Sequence, residues 1–207
     1  MSGGARGPAV VLVGPMGAGK TTVGELIAAR LGVACRDTDA DVVAARGRPV
    51  ATIFAEDGEE YFRALESAAV RNALAEHTGV LALGGGAVLD PGVRALLAGR
   101  PVAFLDMDAD EAARRLGPDT TRPLLAADPA RRWHELAQAR RPLYAEVARV
   151  VIGTGGRSPE HVADAVLDAL AGGFVRLPYE VPYEVPYEVP YEVPYGVPYG
   201  SRPAGSE

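Results

Sequence analysis

Short apolar runs rich in β-branched residues recur along most of the chain, and segments with helical periodicity separate them. Runs of this length, bounded by glycine or polar residues, are typical of strands buried on both faces of a parallel sheet. Strands that alternate with helices indicate an α/β fold. The predicted strands are Ala9–Val13, Val33–Arg36, Val80–Leu83, Val102–Leu105 and Val147–Ile152.

The first predicted strand leads into GPMGAGKTT, which has the spacing G-x-x-x-x-G-K-[ST], and a predicted helix over Thr21–Leu31 follows. In a strand–loop–helix arrangement, the backbone N–H groups of this loop surround a triphosphate at the helix N-terminus. We therefore predict a nucleoside triphosphate site, in which the lysine reaches the outer phosphates and the first threonine ligates Mg²⁺. The residues assigned to it are Gly17, Ala18, Gly19, Lys20, Thr21 and Thr22.

The composition argues against several classes of protein. A chain of 207 residues suits one domain, and no apolar run reaches the length of a membrane span. From Pro178 onward five glutamates and one arginine give −4 of the net charge of −6, which leaves −2 for residues 1–177. Neither part has the basic surface that nucleic acids bind. The single Cys35 and the lack of an export leader favour the cytoplasm.

The C-terminal segment has a different character, because PYEVPYEVPYEVPYEVPYGVPYG repeats every four residues. Regular proline excludes both a helix and the interior of a sheet. We predict a disordered acidic extension over residues 174–207, with a docking tail as the alternative.

Two carboxylates, Asp37 and Asp39, follow the second predicted strand. In an extended chain, residues two positions apart point the same way, so both would lie at the carboxyl edge of the sheet, where α/β proteins bind ligands. One would hold hydrated Mg²⁺, and the other would accept a hydrogen bond from an acceptor hydroxyl. The alternative is that Asp39 or Asp41 caps the next helix.

Two further segments carry candidate groups for an acceptor. Arg63 lies in a helix predicted after a turn at Gly58, where a solvated helix arginine is the alternative. The run LALGGGAV places Gly85 and Gly86 after a strand, where glycine lets a ligand approach the backbone, although a plain turn is an equally ordinary use.

Arginines also occur in two later segments. Arg122 lies in the polar segment GPDTTRPLL, which has the profile of a mobile lid. Arg140 and Arg141 are predicted at the end of a helix before a stop at Pro142, with Arg141 toward solvent. A surface arginine pair is the alternative for these two.

These segments, in this order, resemble the shikimate kinase family over residues 8–171, on GPMGAGKTT, DTD, DGEEYFRALE, LGGGAV, TTRPLL and RRPLY. The resemblance implies a P-loop NTPase three-layer fold, with a central five-stranded parallel sheet flanked by helices, as in nucleoside monophosphate kinases. It implies a monomeric kinase domain over residues 1–173, with a lid at about 117–127. The expected reaction transfers the γ-phosphoryl of ATP, with Mg²⁺, to the 3-hydroxyl of shikimate.

The resemblance also implies a role for each matching residue. Asp39 would hold the hydroxyls of shikimate and orient the attacking one. Arg63 and Arg140 would bind its carboxylate, while Gly85 and Gly86 would line its ring.

On the nucleotide side, the resemblance assigns Thr21 and Asp37 to Mg²⁺, the aspartate through water. Lys20 and Arg122 would act on the phosphates, and Arg157 would lie near the adenine. The alternatives are another small-metabolite kinase, such as one for gluconate, or a nucleotide-dependent switch or scaffold with a docking tail.

Overall fold

A computed structural model of the chain describes residues 7–116 and 129–172. The strands are β1 (Val10–Val13), β2 (Cys35–Asp37), β3 (Val80–Ala82), β4 (Val102–Asp106) and β5 (Val150–Gly153). The helices are α1 (Lys20–Leu31), α2 (Thr38–Arg46), α3 (Val50–Glu76), α4 (Pro91–Leu97), α5 (Ala109–Leu116), α6 (Pro129–Val147) and α7 (Pro159–Ala171), and a 3-10 turn spans Ala87–Leu89.

The strands form one parallel sheet in the order β2-β3-β1-β4-β5. The five predicted strands are therefore confirmed, although their ends shift. The last strand begins at Val150 rather than Val147, because Val147 still belongs to α6. The strand order changes direction at the central β1, so the segment after β1 opens at the point where α/β sheets bind ligands.

Alternate residues of β1 face opposite layers. Leu12 packs with α1 and α7, whereas Val11 and Val13 pack with α3, α4 and α6. A third, smaller cluster joins α2 to α3 through Val42 and Phe62. Both faces of the sheet are covered, as a continuous apolar strand requires.

The long helix α3 bends at Gly58, whose φ of 85° is left-handed and interrupts the helix where the sequence predicts a turn. Within the two described ranges, no helix is long and apolar enough to cross a membrane.

Candidate active site

The loop between β1 and α1 is the nucleotide side of the candidate site. Gly17 and Gly19 have φ values of 84° and 88°, which suit glycine alone without strain. The ammonium of Lys20 donates to the carbonyls of Gly14 at 2.9 Å and Pro15 at 3.0 Å. From α6, the Trp133 indole N–H donates to the Met16 carbonyl at 2.9 Å. Hydrogen bonds from the loop's own Lys20 and from Trp133 of α6 therefore stabilise the conformation of the loop.

Thr21 and Asp37 meet beside this loop, where the threonine hydroxyl donates to the Asp37 carboxylate at 2.6 Å. The other Asp37 oxygen accepts from the Asp39 N–H at 2.9 Å and so caps α2. The prediction that the chain is extended from Asp37 to Asp39 is therefore wrong, because α2 begins at Thr38. The cap is Asp37, not Asp39 or Asp41.

The carboxyl group of Asp39, in the first turn of α2, is largely buried, and its Oδ1 has no hydrogen-bond partner. Burial raises the pKa of Asp39 to about 6, and the nearby Glu66 carboxylate adds to the rise, while Lys20 and Arg63 oppose it. A buried acceptor oxygen without a donor is uncommon in a folded protein and calls for an explanation. A donor from a ligand would satisfy it.

Arg63 and Arg140 reach the same region from α3 and α6. The Arg63 side chain is 20% exposed, and its guanidinium pairs with Glu66 at 2.5 Å and Glu59 at 3.0 Å. Arg140 is buried and donates to the Gly85 carbonyl at 3.3 Å. The alternatives of a solvated helix arginine and a surface pair are therefore wrong for these two residues.

The three glycines after β3 are packed against these charges. A Cβ on Gly84 would overlap the carboxylates of Asp39 and Glu66, and a Cβ on Gly86 would overlap the Arg63 guanidinium. Gly85 differs, because its Cβ would stand 3.6 Å from the Met16 N, in ordinary contact with the phosphate loop. None of the three needs a positive φ. Close approach of charged side chains, rather than turn geometry, therefore explains glycine at positions 84 and 86.

Two predictions on α6 are wrong. The helix does not stop at Pro142 but continues to Val147. The buried Tyr144 and the half-buried Leu143 pack into the core beside α4 and β4, and this packing keeps the last turn helical despite the missing N–H. Arg141 does not point to solvent, because its guanidinium pairs with Asp106 at 2.7 Å.

Arg157 lies exposed in the turn between β5 and α7. Arg122, together with the rest of the predicted lid, lies outside the described residues, as do residues 173–207.

Several residues of the site carry no assignment from the sequence. Glu66 is buried between Arg63 and Gly86, and Tyr144 donates to the Gly85 carbonyl at 2.5 Å. Glu66 had a signal, since it shares a helix face with Phe62 and Val70, four residues to either side, where an acidic residue is out of place. Tyr144 had none.

Arg115, on α5, was also missed. Its guanidinium pairs with Glu111 at 2.6 Å and donates to the Thr154 carbonyl at 3.0 Å. It lies 3.9 Å from the position that a Cβ on Gly19 would occupy, so a second cation flanks the phosphate loop.

One edge of the sheet thus combines a phosphate-binding loop, a hydroxyl–carboxylate pair suited to a hard cation, a buried carboxylate and two arginines. Forked guanidinium groups match a carboxylate or phosphate geometrically. The fold and this site define an ATP-dependent P-loop phosphotransferase.

Comparison with known proteins agrees. The family model described as shikimate kinase matches residues 16–171. A shikimate kinase of Streptomyces avermitilis is 63% identical over 79% of this chain and 95% of that protein. The chain belongs to the shikimate kinase family, and its function is that of a shikimate kinase, an ATP-dependent kinase of aromatic amino acid biosynthesis.

Solved structures give the same result. A shikimate kinase from Acinetobacter baumannii in complex with shikimate superposes with a TM-score of 0.77 at 34% identity, over 81% of this chain and 95% of that one. A gluconokinase from Sinorhizobium meliloti matches with a TM-score of 0.52 at 21% identity, over 82% of this chain and 94% of that one. The second likeness extends to the fold alone.

Proposed function

We propose that the described site binds shikimate between the glycine run and the first turn of α2, with its carboxylate held by Arg63 and Arg140. The observation that carries this assignment is the convergence of two guanidinium groups and one unpartnered carboxylate oxygen around the run Gly84-Gly85-Gly86. Shikimate has one carboxylate and several hydroxyl donors, which complement these groups. Gly85 and Gly86 line its ring.

In this proposal Asp39 accepts a hydrogen bond from the 3-hydroxyl of shikimate and orients its oxygen toward the γ-phosphorus. A bond forms between that oxygen and the phosphorus, the bond from phosphorus to the bridging oxygen of ADP breaks, and the hydroxyl proton passes to water. Placement and charge neutralisation are the main requirements of phosphoryl transfer.

On the nucleotide side, we propose that the backbone of residues 17–22 and the Lys20 ammonium bind the phosphates of ATP. Arg122 closes over them, and Arg157 lies near the adenine. Thr21 and Asp37, already in contact at 2.6 Å, would hold Mg²⁺, the aspartate through water. Oxygen ligands and a single carboxylate suit this ion, which usually keeps several waters. Bound Mg²⁺ neutralises charge on the β- and γ-phosphates.

We also propose a domain organisation for the chain. The kinase domain is residues 1–173, acts as a monomer in the cytoplasm, and does not require the tail. The end of the family match at residue 171 supports this boundary.

The test is ADP release with ATP and Mg²⁺, with shikimate or gluconate as acceptor. Activity should require shikimate and disappear in Lys20→Ala. Arg63→Ala or Arg140→Ala should each raise the KM for shikimate at least about thirtyfold, because losing one partner of a desolvated charge pair costs about 2–5 kcal/mol.

Arg141→Ala is the matched control, since its guanidinium pairs with Asp106 rather than with the Gly85 carbonyl. Its KM for shikimate should stay near that of the wild type. If Arg141→Ala raises the KM while Arg140→Ala does not, the carboxylate assignment is wrong by one residue. A preference for gluconate would refute the acceptor.

A further inference from the structure

The peptide group between Gly85 and Gly86 is held at both of its polar ends. Its carbonyl oxygen accepts from the Tyr144 hydroxyl at 2.5 Å and from Arg140 at 3.3 Å. Its N–H donates to the Glu66 carboxylate at 3.3 Å. Because a peptide group is planar, the short bond from Tyr144 at one end and the longer bond to Glu66 at the other together restrict the orientation of the whole unit.

This one peptide connects the two arginines that the proposed function assigns to the acceptor. Glu66 binds the peptide N–H with one oxygen and Arg63 with the other, at 2.5 Å. On the opposite side, Arg140 meets the peptide oxygen. Since the arginines belong to α3 and α6, which are far apart in sequence, the peptide and its partners set their relative position.

The two donors to the Gly85 carbonyl are not equivalent. The Tyr144 bond is short, whereas the Arg140 bond, at 3.3 Å, is longer than the usual 2.7–3.2 Å range of an N–H···O bond. A guanidinium has several N–H donors, and a weak bond to the backbone leaves most of its capacity to another acceptor. If the phenol hydroxyl were absent, the carbonyl would take a closer bond from Arg140.

We propose that Tyr144 is a positioning residue for the acceptor: its hydroxyl satisfies the Gly85 carbonyl and so keeps the Arg140 guanidinium available for the carboxylate of shikimate. This inference rests on the proposed carboxylate role of Arg63 and Arg140.

The surroundings suit this task. Tyr144 is 1% exposed, and its ring packs against Phe104 with centroids 5.1 Å apart, so the hydroxyl has little freedom to move. Burial raises the pKa of Tyr144 to about 12, while the charge of Arg140 and its hydrogen bond to the phenol oxygen act in the opposite direction. The hydroxyl therefore remains a donor throughout the working pH range.

Tyr144→Phe tests the proposal, because it removes the hydroxyl and keeps the packing against Phe104. The KM for shikimate should rise about tenfold, equivalent to about 1.4 kcal/mol, with kcat and the KM for ATP within about twofold. Tyr61→Phe is the matched control, since it removes a hydroxyl from an exposed tyrosine on α3, and it should change none of these constants.

A purely structural role would lower the melting temperature and the active fraction, hence kcat, without raising the KM. That result would overturn the proposal. The decisive measurement adds Tyr144→Phe to Arg140→Ala. Residues that act through one another are not additive, so the tyrosine change should then cost less than about threefold. A full tenfold loss in that background would show that Tyr144 acts independently of Arg140.

Failure of the proposed function gives a different result. If Arg63→Ala and Arg140→Ala leave the KM for shikimate unchanged, the carboxylate assignment is wrong whatever Tyr144→Phe does. If those variants raise the KM and Tyr144→Phe does not, only the inference about Tyr144 is wrong.

Discussion

Replacing Asp39 by asparagine should stabilise the fold while it abolishes activity. The wild-type carboxyl group is buried, one of its oxygens has no partner, and desolvation raises its pKa from 3.8 to about 6. Glu66 and Asp37 contribute to the rise, whereas Lys20 and Arg63 oppose it. The charged form is therefore less favourable in the folded chain than in the unfolded one.

The magnitude follows from the rise in the pKa of Asp39 from 3.8 to about 6. At about 1.4 kcal/mol per unit, ionised Asp39 lowers the free energy of unfolding by about 3 kcal/mol above pH 6. Because an acid whose folded pKa is raised contributes stability only below its unfolded pKa, this loss accumulates as the pH rises from about 4 to about 6. Asparagine carries no charge but leaves a polar group in the same place, so a gain of about 1–3 kcal/mol is expected.

The assay is urea unfolding of both proteins at pH 5, 6 and 7.5, together with shikimate-dependent ADP release. The stability gain at pH 5 should be smaller than that at pH 7.5 by about 1.4 kcal/mol, because less of the Asp39 carboxyl is ionised at the lower pH. Turnover should fall at least about a hundredfold if Asp39 orients the reacting hydroxyl. In the wild type, kcat/KM for shikimate should decline as the pH falls below about 6, because the protonated carboxyl is a poorer acceptor.

Asp41→Asn is the control, because Asp41 lies one half-turn away on α2 and pairs with Arg36 at 2.7 Å. It should keep its activity and gain no stability. If Asp39→Asn is less stable than the wild type by the same amount at every pH, the ionised Asp39 carboxylate does not destabilise the folded chain. If its turnover stays within tenfold of the wild type, Asp39 does not orient the acceptor.

Two further predictions concern the glycine run and the tail. Gly85→Ala should fold with a free energy of unfolding within about 1 kcal/mol of the wild type, because its Cβ would meet the phosphate loop without overlap. It should still raise the KM for shikimate, because on the proposed assignment this glycine lines the ring of the acceptor. Gly84→Ala should instead lose about 1–3 kcal/mol, since its Cβ would overlap two carboxylates; equal behaviour of the two variants would refute this distinction. Deleting residues 178–207 should leave kcat and both KM values within about twofold, and a tenfold loss would show that the repeat contributes to the site.

The sequence predicts the nucleotide side well because its signals are local. The strand, glycine loop and helix are contiguous, so Lys20 and Thr21 could be assigned from spacing alone. The two strands that flank β1, by contrast, come from distant parts of the chain. Their order depends on contacts that no local pattern contains.

The errors arise where short-range and tertiary effects compete. Asp37 turns back to cap α2, and this local hydrogen bond replaces the extended geometry expected for Asp39. At Pro142 the opposite happens, because burial of Tyr144 outweighs the local cost of proline in a helix. The wrong prediction for Arg141 has the same cause, because the helix continues through Pro142 and the Arg141 guanidinium turns toward Asp106 instead of solvent.

The acceptor side differs from the nucleotide side in what holds it together. Lys20 and Thr21 have protein partners in the described structure, whereas Asp39 has a buried oxygen without one. A group that destabilises the folded chain persists when another requirement outweighs its cost. On the proposed assignment, a shikimate hydroxyl donates to that oxygen, so binding removes part of the cost that folding incurs. The fold alone does not explain a carboxylate at this position, whereas complementarity to a polyhydroxylated acid does.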